Sequence, residues 1–558
     1  MKLLSCLVLS GMFAAGLCCR SDAQREFADL VLLNGSGWTG DPTRPRAEAV
    51  AVLGTSIMKV GAGSEIEPLI GPGTRVVDMG GGLLLPGFID AHTHFLDGGF
   101  ALAAIRLRGA GSRREFIDRI AARAREVEKG AWILHGDWDH QSFDNPELPR
   151  REWIDEVTPD NPVAVSRLDQ HMLFANSLAL KRAGITRSTT SPAGGEIVRD
   201  PESGEPTGIL KDEAMDLVLS KVPEPTPEEK RRAALAAIRH AREHGITSVH
   251  EMAYADSFEV YQELLREGRL GLRLYVYIPI SEVDLYERLK LKTPFGNDRL
   301  KIGGLKGFVD GSLGSFTALF FDPYADNAST SGIRVGDMFP EGVMETRLRR
   351  ADRAGLQVAV HAIGDRANRI ILDLYEKIFE ENGDRDRRWR VEHAQHLTRE
   401  DIPRFGKLGV LASVQPYHAT DDGRWAIKKI GPERLAGAYV FRSLIDSGAR
   451  LVCGSDWTVA PLDPIGGIHA AVTRRTLDGK NPDGWIPEEK ITLEEAIRGY
   501  TVNAAYAEFA EARKGSIEPG KLADLVLVDR NLFEIPPESI AEAGVRMTIL
   551  DGEVVFER

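Results

Sequence analysis

The sequence LLPGFIDAHTH at residues 84–94 is an apolar run that ends in His-x-His. Side chains alternate between the two faces of a β-strand, so residues two apart point the same way. His92 and His94 are therefore expected to converge at the C-terminal end of a strand. Two convergent imidazoles can serve as a pair of metal ligands, although so short a motif can also be two polar residues in a loop.

Strand-like and helical segments alternate along the rest of the chain, most clearly from residue 231 onward. Helical stretches such as 367–380 and 432–447 separate several of the strands. Seven strand-like runs lie at residues 246–250, 272–277, 304–309, 356–361, 389–393, 410–414 and 451–456. With a strand over residues 83–89 they make eight units, which predict an α/β fold, a distorted (β/α)8 TIM barrel.

Short apolar runs punctuated by glycine and proline flank this region at both ends of the chain. They lie at residues 30–33, 49–53, 57–60, 74–78, 524–528, 547–550 and 554–556. We infer a small β-sandwich domain built from both termini, residues 24–82 and 506–558, around a barrel at residues 83–505. The interval of about 100–235 is too long for one βα unit, and it predicts an inserted cap subdomain over the barrel mouth.

The N-terminus has the pattern of a secretory signal peptide. Lys2 precedes an apolar stretch over residues 3–17 that is too short to span a bilayer comfortably. Ser-Asp-Ala at residues 21–23 fits a small-x-small cleavage site. We therefore expect removal of residues 1–23 and export to the periplasm or the extracellular space, and no other run is apolar enough to span a membrane.

Three of the four cysteines, Cys6, Cys18 and Cys19, fall within this predicted signal peptide. Lipoprotein anchoring through Cys18 or Cys19 is the weaker alternative, because the small residue expected before the anchored cysteine is absent from both positions. The mature chain would keep only Cys453, so it could form no internal disulfide. The apolar strand around Cys453 predicts a packed thiol rather than a nucleophile.

The overall composition is that of an ordinary globular enzyme. Hydrophobic residues make up 43% of the 558 residues and charged residues 27%, with a formal net charge of −13. This charge balance provides no basic surface for nucleic acid.

Side chains that can bind metals recur where the predicted strands end. The C-terminal face of a barrel is where catalytic groups collect, although a single histidine there is more often structural. The six candidates are His92 and His94 on the first strand, Lys306 on the fourth, His361 on the fifth, His393 on the sixth and Asp456 on the eighth. Their joint presence on separate strand ends predicts a metal site.

With these motifs the sequence resembles the amidohydrolase superfamily, and within it amidohydrolase family 3, which includes N-substituted formamide deformylases. The matching stretches lie at residues 86–94, 310–315, 360–365, 391–394, 454–457 and 515–525. The likeness covers nearly all of the predicted mature chain.

The resemblance implies two groups of ligands: His92, His94 and Asp456 for one metal ion, and His361 and His393 for a second. Lys306 would bridge the two ions as a carbamate formed with CO2, because a plain ammonium cannot donate to a metal. The alternative is an unmodified Lys306 beside a single ion. Zn2+ is the favoured divalent ion, but Fe, Mn and Ni suit the same ligands.

These roles imply hydrolysis of a non-peptide carbon–nitrogen bond in a small amide-type molecule, through a metal-activated hydroxide. Asp456 would take a proton from the water and pass it to the leaving nitrogen. A deaminase on the same barrel is less favoured, because the glutamate typical of deaminases is replaced here by Gly364. A non-catalytic exported binding or regulatory protein is also less favoured, because all six ligand positions carry suitable residues.

Six further residues are weaker candidates for contact with the substrate. They are Trp138, Asp139 and His171 in the inserted region, Asp310 after the fourth strand, and Tyr417 and His418 after the seventh. A structural role is equally consistent with the three residues of the insertion, and Asp310 could instead form a turn. The motifs do not specify the substrate, and homodimers are common among relatives.

Overall fold

The computed structural model describes residues 27–253 and 257–558. Eight strands form a nearly closed parallel barrel, in which each strand pairs with the next. They are β1 (Phe88–Thr93), β2 (Ile246–Met252), β3 (Arg273–Pro279), β4 (Leu300–Phe308), β5 (Gln357–Ala362), β6 (Arg390–His393), β7 (Leu411–Val414) and β8 (Leu451–Cys453). The barrel closes where Thr93 pairs with Trp457 beyond β8. The predicted (β/α)8 barrel is therefore confirmed.

Helices surround the barrel and join its strands. They span Phe95–Ala101, Pro227–Glu243, Ser257–Arg266, Val283–Leu289, Val343–Ala354, Asp365–Asn382, Ile402–Leu408, Pro416–Asp422, Ala426–Arg434, Phe441–Asp446, Pro464–Thr473, Leu493–Gly499 and Val502–Ala507. The sequence of Pro227–Glu243 explains its helix: Thr226 and Glu229 form a capping box, and Pro227 occupies the first turn. Ala233, Ala237 and Ala241 recur every fourth residue on the face that the helix buries.

Both termini contribute to two further sheets. One sheet has the order Ser56–Gly61, Ala49–Leu53, Leu30–Leu33, Arg75–Asp78. The other has the order Glu553–Glu557, Val545–Leu550, Leu525–Val528, Leu83–Pro86, Ser36–Trp38, Arg46–Ala47. A single buried apolar cluster joins side chains of the two sheets, among them Leu32, Val50, Leu84, Leu527 and Ile549. These contacts give the predicted β-sandwich from the two ends of the chain.

The strand predicted over residues 83–89 is two strands. Leu83–Pro86 pairs with Leu525–Val528 in the sandwich, and the barrel strand begins at Phe88. Gly87 lies between them, and a Cβ atom there would come within 2.4 Å of the Thr247 side chain on β2. The missing side chain lets the backbone pass from the sandwich into the barrel against β2.

Between β1 and β2 the chain forms a separate five-stranded sheet with its own apolar core. Its strands, in spatial order, are Gly195–Arg199, Pro206–Asp212, Met172–Ala175, Val163–Ser166 and Ile133–Leu134. The helices Arg113–Glu126, Ser177–Ala183 and Asp216–Leu219 accompany it. We call this sheet with its helices the cap. The helix Pro227–Glu243 follows the cap, and its buried face joins the same apolar cluster as the barrel strands. The predicted domain boundaries remain predictions.

The predicted signal peptide, residues 1–23, and its three cysteines lie outside the described residues. Cys453 is fully buried on β8, as its apolar surroundings predict. Within residues 27–253 and 257–558, we find no helix that combines the length and the apolar character needed to cross a membrane.

Candidate metal centre

The barrel brings the two histidines of the His-x-His motif to one carboxylate. His92 Nε2 and His94 Nε2 each lie 3.5 Å from Asp456 Oδ1. His393 Nδ1 lies 3.9 Å from the other oxygen of Asp456. Ligand atoms of His92, His393 and Asp456 all fall within 4.8 Å of one another. Donor atoms this close together can bind a common ion.

The remaining two predicted ligands lie beside this group. The rings of His361 and His393 are 4.5 Å apart, and Lys306 Nζ is 3.4 Å from His92 Nε2. Five of the six predicted ligands line one cavity of about 150 Å3, and His92 is fully buried behind them. All six therefore meet at the C-terminal end of the barrel, where parallel strands present their side chains to ligands.

Two of these residues have an unusual backbone conformation. His393 has φ 75° and Asp456 has φ 59°, in the left-handed region that few residues other than glycine adopt. His393 is the last residue of β6, and Asp456 lies three residues after the end of β8. Strained positions of this kind cluster at functional sites, so the backbone supports a functional role for both side chains.

Each of the three buried candidate histidines has an oxygen acceptor at one of its ring nitrogens. The contacts are His92 Nδ1 with Glu392 Oε2 at 2.5 Å, His393 Nδ1 with Gln415 Oε1 at 2.7 Å, and His361 Nε2 with Gly311 O at 3.1 Å. An acceptor at one nitrogen orients the ring and leaves the lone pair of the other nitrogen for a metal. The sequence prediction missed Glu392 and Gln415, although the charged alternation of Arg390 and Glu392 in a buried strand was a visible signal.

Burial also sets the protonation of the candidate ligands. It lowers the pKa of three histidines well below the usual value: His92, His361 and His393. Burial likewise lowers the pKa of Lys306 to about 8. Burial alone would raise the pKa of Asp456, but His92 and His94 hold it below its usual value. Neutral imidazoles, a carboxylate and an easily deprotonated amine are a donor set that fits divalent metal ions.

Two of the weaker candidates, His171 and His418, line the same cavity. His171 belongs to the cap, and its ring lies 5.1 Å from that of His361. Burial would lower the pKa of His171, but Asp212, 2.6 Å from Nδ1, raises it to about 8. The cap therefore places a histidine–aspartate pair directly over the candidate metal ligands.

Asp310 organises the backbone around His361 rather than lining the cavity. Its carboxylate accepts hydrogen bonds from the backbone N–H groups of Leu319, Ile363 and Gly364 at 2.7–3.0 Å. Asp310 Oδ1 also lies 3.5 Å from His361 Nε2. Asp310 thus forms turns and supports a candidate ligand at the same time.

Three other candidates are absent from the described lining of the cavity. Trp138 is fully buried in the core of the cap, where its indole N–H donates to Val165 O at 2.9 Å. Asp139 instead holds Arg167, a cavity residue that the sequence analysis missed, with a contact of 2.8 Å. Tyr417 precedes the lining residue His418 without lining the cavity itself.

The chain is similar in sequence and in structure to known proteins over most of its length. The chain is 40% identical over 542 residues to the protein Long After Far-red 3 of Arabidopsis thaliana, covering 95% of this chain and 92% of that protein. It is 29% identical over 555 residues to the N-substituted formamide deformylase of Arthrobacter pascens, covering 96% and 99%. An uncharacterized metal-dependent hydrolase from Pyrococcus horikoshii has a similar structure, with a TM-score of 0.73, 28% identity, and coverage of 91% and 99%.

The match to the amidohydrolase family extends over residues 75–556, which include the sandwich, the cap and the barrel. It confirms the resemblance inferred from the strand-end motifs. The chain belongs to the amidohydrolase family.

Proposed function

We propose that this protein is a metal-dependent hydrolase that cleaves a non-peptide carbon–nitrogen bond of amide type in a small molecule. The observation that carries the proposal is the convergence of His92 and His94 on Asp456 at 3.5 Å, at a cavity that Lys306, His361 and His393 also line. The 29% identity to a formamide deformylase over nearly the whole of both chains supports the choice of bond.

In this proposal, two sets of side chains would each hold one divalent ion, with Zn2+ favoured: His92, His94 and Asp456 for the first, and His361 and His393 for the second. Lys306, as a carbamate, would bridge them. Ions bound here would supply an activated water at neutral pH and a Lewis acid for the substrate carbonyl. Asp456 lies 3.5 Å from His92 and His94 and within 4.8 Å of a ligand atom of His393, so this carboxylate would be placed to accept the proton of the water and return it to the leaving nitrogen.

The contacts of Asp365 weigh against the deaminase alternative. The position three residues after His361 is Gly364, whose N–H donates to Asp310. The neighbouring carboxylate, Asp365, accepts from the N–H of Phe321 at 2.9 Å and is absent from the described cavity lining. Neither residue offers the free carboxylate that deamination would use at this point.

The test is metal content followed by turnover. The protein is purified without a histidine tag or chelator, its metal is counted by mass spectrometry, and the same preparation is assayed on N-formyl amines, N-acyl amines and cyclic amides. We expect one or two equivalents of a transition metal, with release of an amine from the N-formyl and N-acyl amines or ring opening of a cyclic amide to an amino acid. Ammonia release would favour the deaminase, and absence of metal after reconstitution would favour a binding or regulatory protein.

A second prediction concerns Lys306, because burial lowers its pKa to about 8 and so increases the fraction of neutral amine, the form that reacts with CO2. Native mass spectrometry should find a mass increase equal to one CO2. Lys306→Ala should lose at least one metal ion and reduce turnover by about 100-fold or more, since the bridge between the ions is removed. Added acetate or propionate should restore part of the activity of Lys306→Ala by supplying the carboxylate.

Two results would contradict the carbamate. One is a native mass without the added CO2 in protein that carries two ions. The other is unchanged metal content in Lys306→Ala.

A further inference from the structure

The interior of the barrel below the candidate ligands is charged. Barrels of this class normally fill the interior with branched apolar residues. Here a connected column of ionisable side chains has at most 2% exposure: His92, Glu392, Arg390, His250 and Glu508. It begins at the candidate ligand His92, and none of its five residues lines the cavity.

Glu392 lies at the centre of the contacts in this column. Its Oε2 accepts from His92 Nδ1 at 2.5 Å, and its Oε1 accepts from Arg390 Nε at 2.5 Å. Arg390 also donates from Nη2 to the carbonyl of Ala91, next to His92 on β1, at 2.8 Å. Its Nη1 donates to His250 Nδ1 at 2.8 Å. Strands β1 and β6 are not neighbours in the sheet, so these contacts cross the barrel.

Such a column is costly for stability. Buried ion pairs are often no better for stability than apolar residues of the same volume, because both charges lose their hydration. The contacts of Glu392 are those of a carboxylate held between two donors, with Arg390 on one oxygen and His92 on the other. A carboxylate that accepts from His92 Nδ1 fixes the proton on that nitrogen and leaves Nε2, which faces Asp456, for a metal.

We propose that Glu392, held in place by Arg390, is a positioning residue that fixes the ring and the tautomer of His92 for metal binding. The inference rests on the metal site of the proposed function. It assigns the buried Arg390–Glu392 pair to metal affinity rather than to fold stability.

The test compares Glu392→Gln with Glu508→Gln. Glutamine at residue 392 has only one side-chain oxygen, which can accept from His92 or from Arg390. Its amide N–H2 group then faces the other of these two donors and cannot accept from it. Glu508 lies in the same column, 2.6 Å from Lys514 and 3.7 Å from His250, without touching a candidate ligand. Glu508→Gln therefore controls for the loss of a buried charge.

We expect Glu392→Gln to bind Zn2+ and Co2+ about 10- to 100-fold more weakly in competition with a chelator, with an altered visible spectrum of the Co2+ form. Glu508→Gln should bind both ions like the wild type, even where its melting temperature falls. Unchanged affinity in Glu392→Gln, or equal loss of affinity in both variants, would overturn the inference.

The metal affinity of the wild type distinguishes failure of this inference from failure of the proposed function. If the wild type binds no metal, the proposed function is wrong. If the wild type binds metal and Glu392→Gln binds it equally well, only this inference is wrong. Should Glu392→Gln not fold, Arg390→Lys is the second variant, because lysine keeps the charge but lacks the fork that holds Glu392 and the Ala91 carbonyl together. We expect a smaller but measurable loss of metal affinity for Arg390→Lys, and unchanged affinity would again overturn the inference.

Discussion

Replacing Asp456 by asparagine should lower kcat by about 1000-fold or more and leave the fold intact. Asparagine keeps the size of the side chain but cannot accept and return a proton at neutral pH. The loss corresponds to about 4 kcal/mol in the activation free energy. The fold should survive because asparagine tolerates the left-handed backbone at this position, φ 59°. The backbone N–H of Asp456, which donates to His92 O at 2.7 Å, is unaffected by the substitution.

The measurement is kcat on the substrate that the amine-release screen identifies, with circular dichroism and metal content recorded for the same preparation. Asp463→Asn is a matched control, because Asp463 follows the same strand but lies outside the described cavity lining. Wild-type turnover in Asp456→Asn with full metal content would refute the proton shuttle. If asparagine removes both metal and activity, Asp456 acts first as a ligand, and the shuttle must be tested on metal-saturated protein.

The barrel could be predicted from the sequence because most of its strands are short, fully buried apolar runs. The predicted 356–361 and the observed Gln357–Ala362 agree within one residue, and helices separate most of the strands. The prediction merged two strands into one at residues 83–89. Both strands are fully buried and adjoin at Gly87, so the hydrophobic pattern does not change between them. The two strands are separated by their partners, since Leu83–Pro86 pairs with Ser36–Trp38 and with Leu525–Val528, more than 400 residues further along the chain.

The candidate ligands could be predicted to meet because parallel strands end at one face of a barrel. The residues of the cap were harder to assign, because both faces of the cap sheet pack against apolar clusters and the cavity is lined by a loop between two of its strands, residues 167–171. Trp138 and His171 both precede or follow short cap strands, yet the first is in the core and the second lines the cavity. Nothing local in the sequence distinguishes these two positions, since the contacts of Trp138 and His171 come from distant segments.

Replacing His92 by alanine should remove most of the bound metal and also destabilise the metal-free protein, whereas His94→Ala should mainly remove metal. His92 is fully buried, and its loss leaves Glu392 Oε2 without the donor that lies 2.5 Å away. Arg390 still pairs with the other oxygen of Glu392, and the loss of one buried hydrogen bond to a charged group costs about 2–3 kcal/mol. The His94 side chain is 23% exposed, and the only ion pair described for it is with Asp456, so its loss leaves no comparable buried group.

Metal content per chain and the melting temperature of chelator-treated protein test the two effects separately. Removing the metal before melting matters, because bound metal would itself stabilise the folded state. Unchanged metal content in both alanine variants would show that the ligand set is wrong. Equal melting temperatures of the two metal-free variants would contradict the buried His92–Glu392 contact. A drop confined to His92→Ala would instead mean that the same histidine serves both the metal and the charged interior of the barrel.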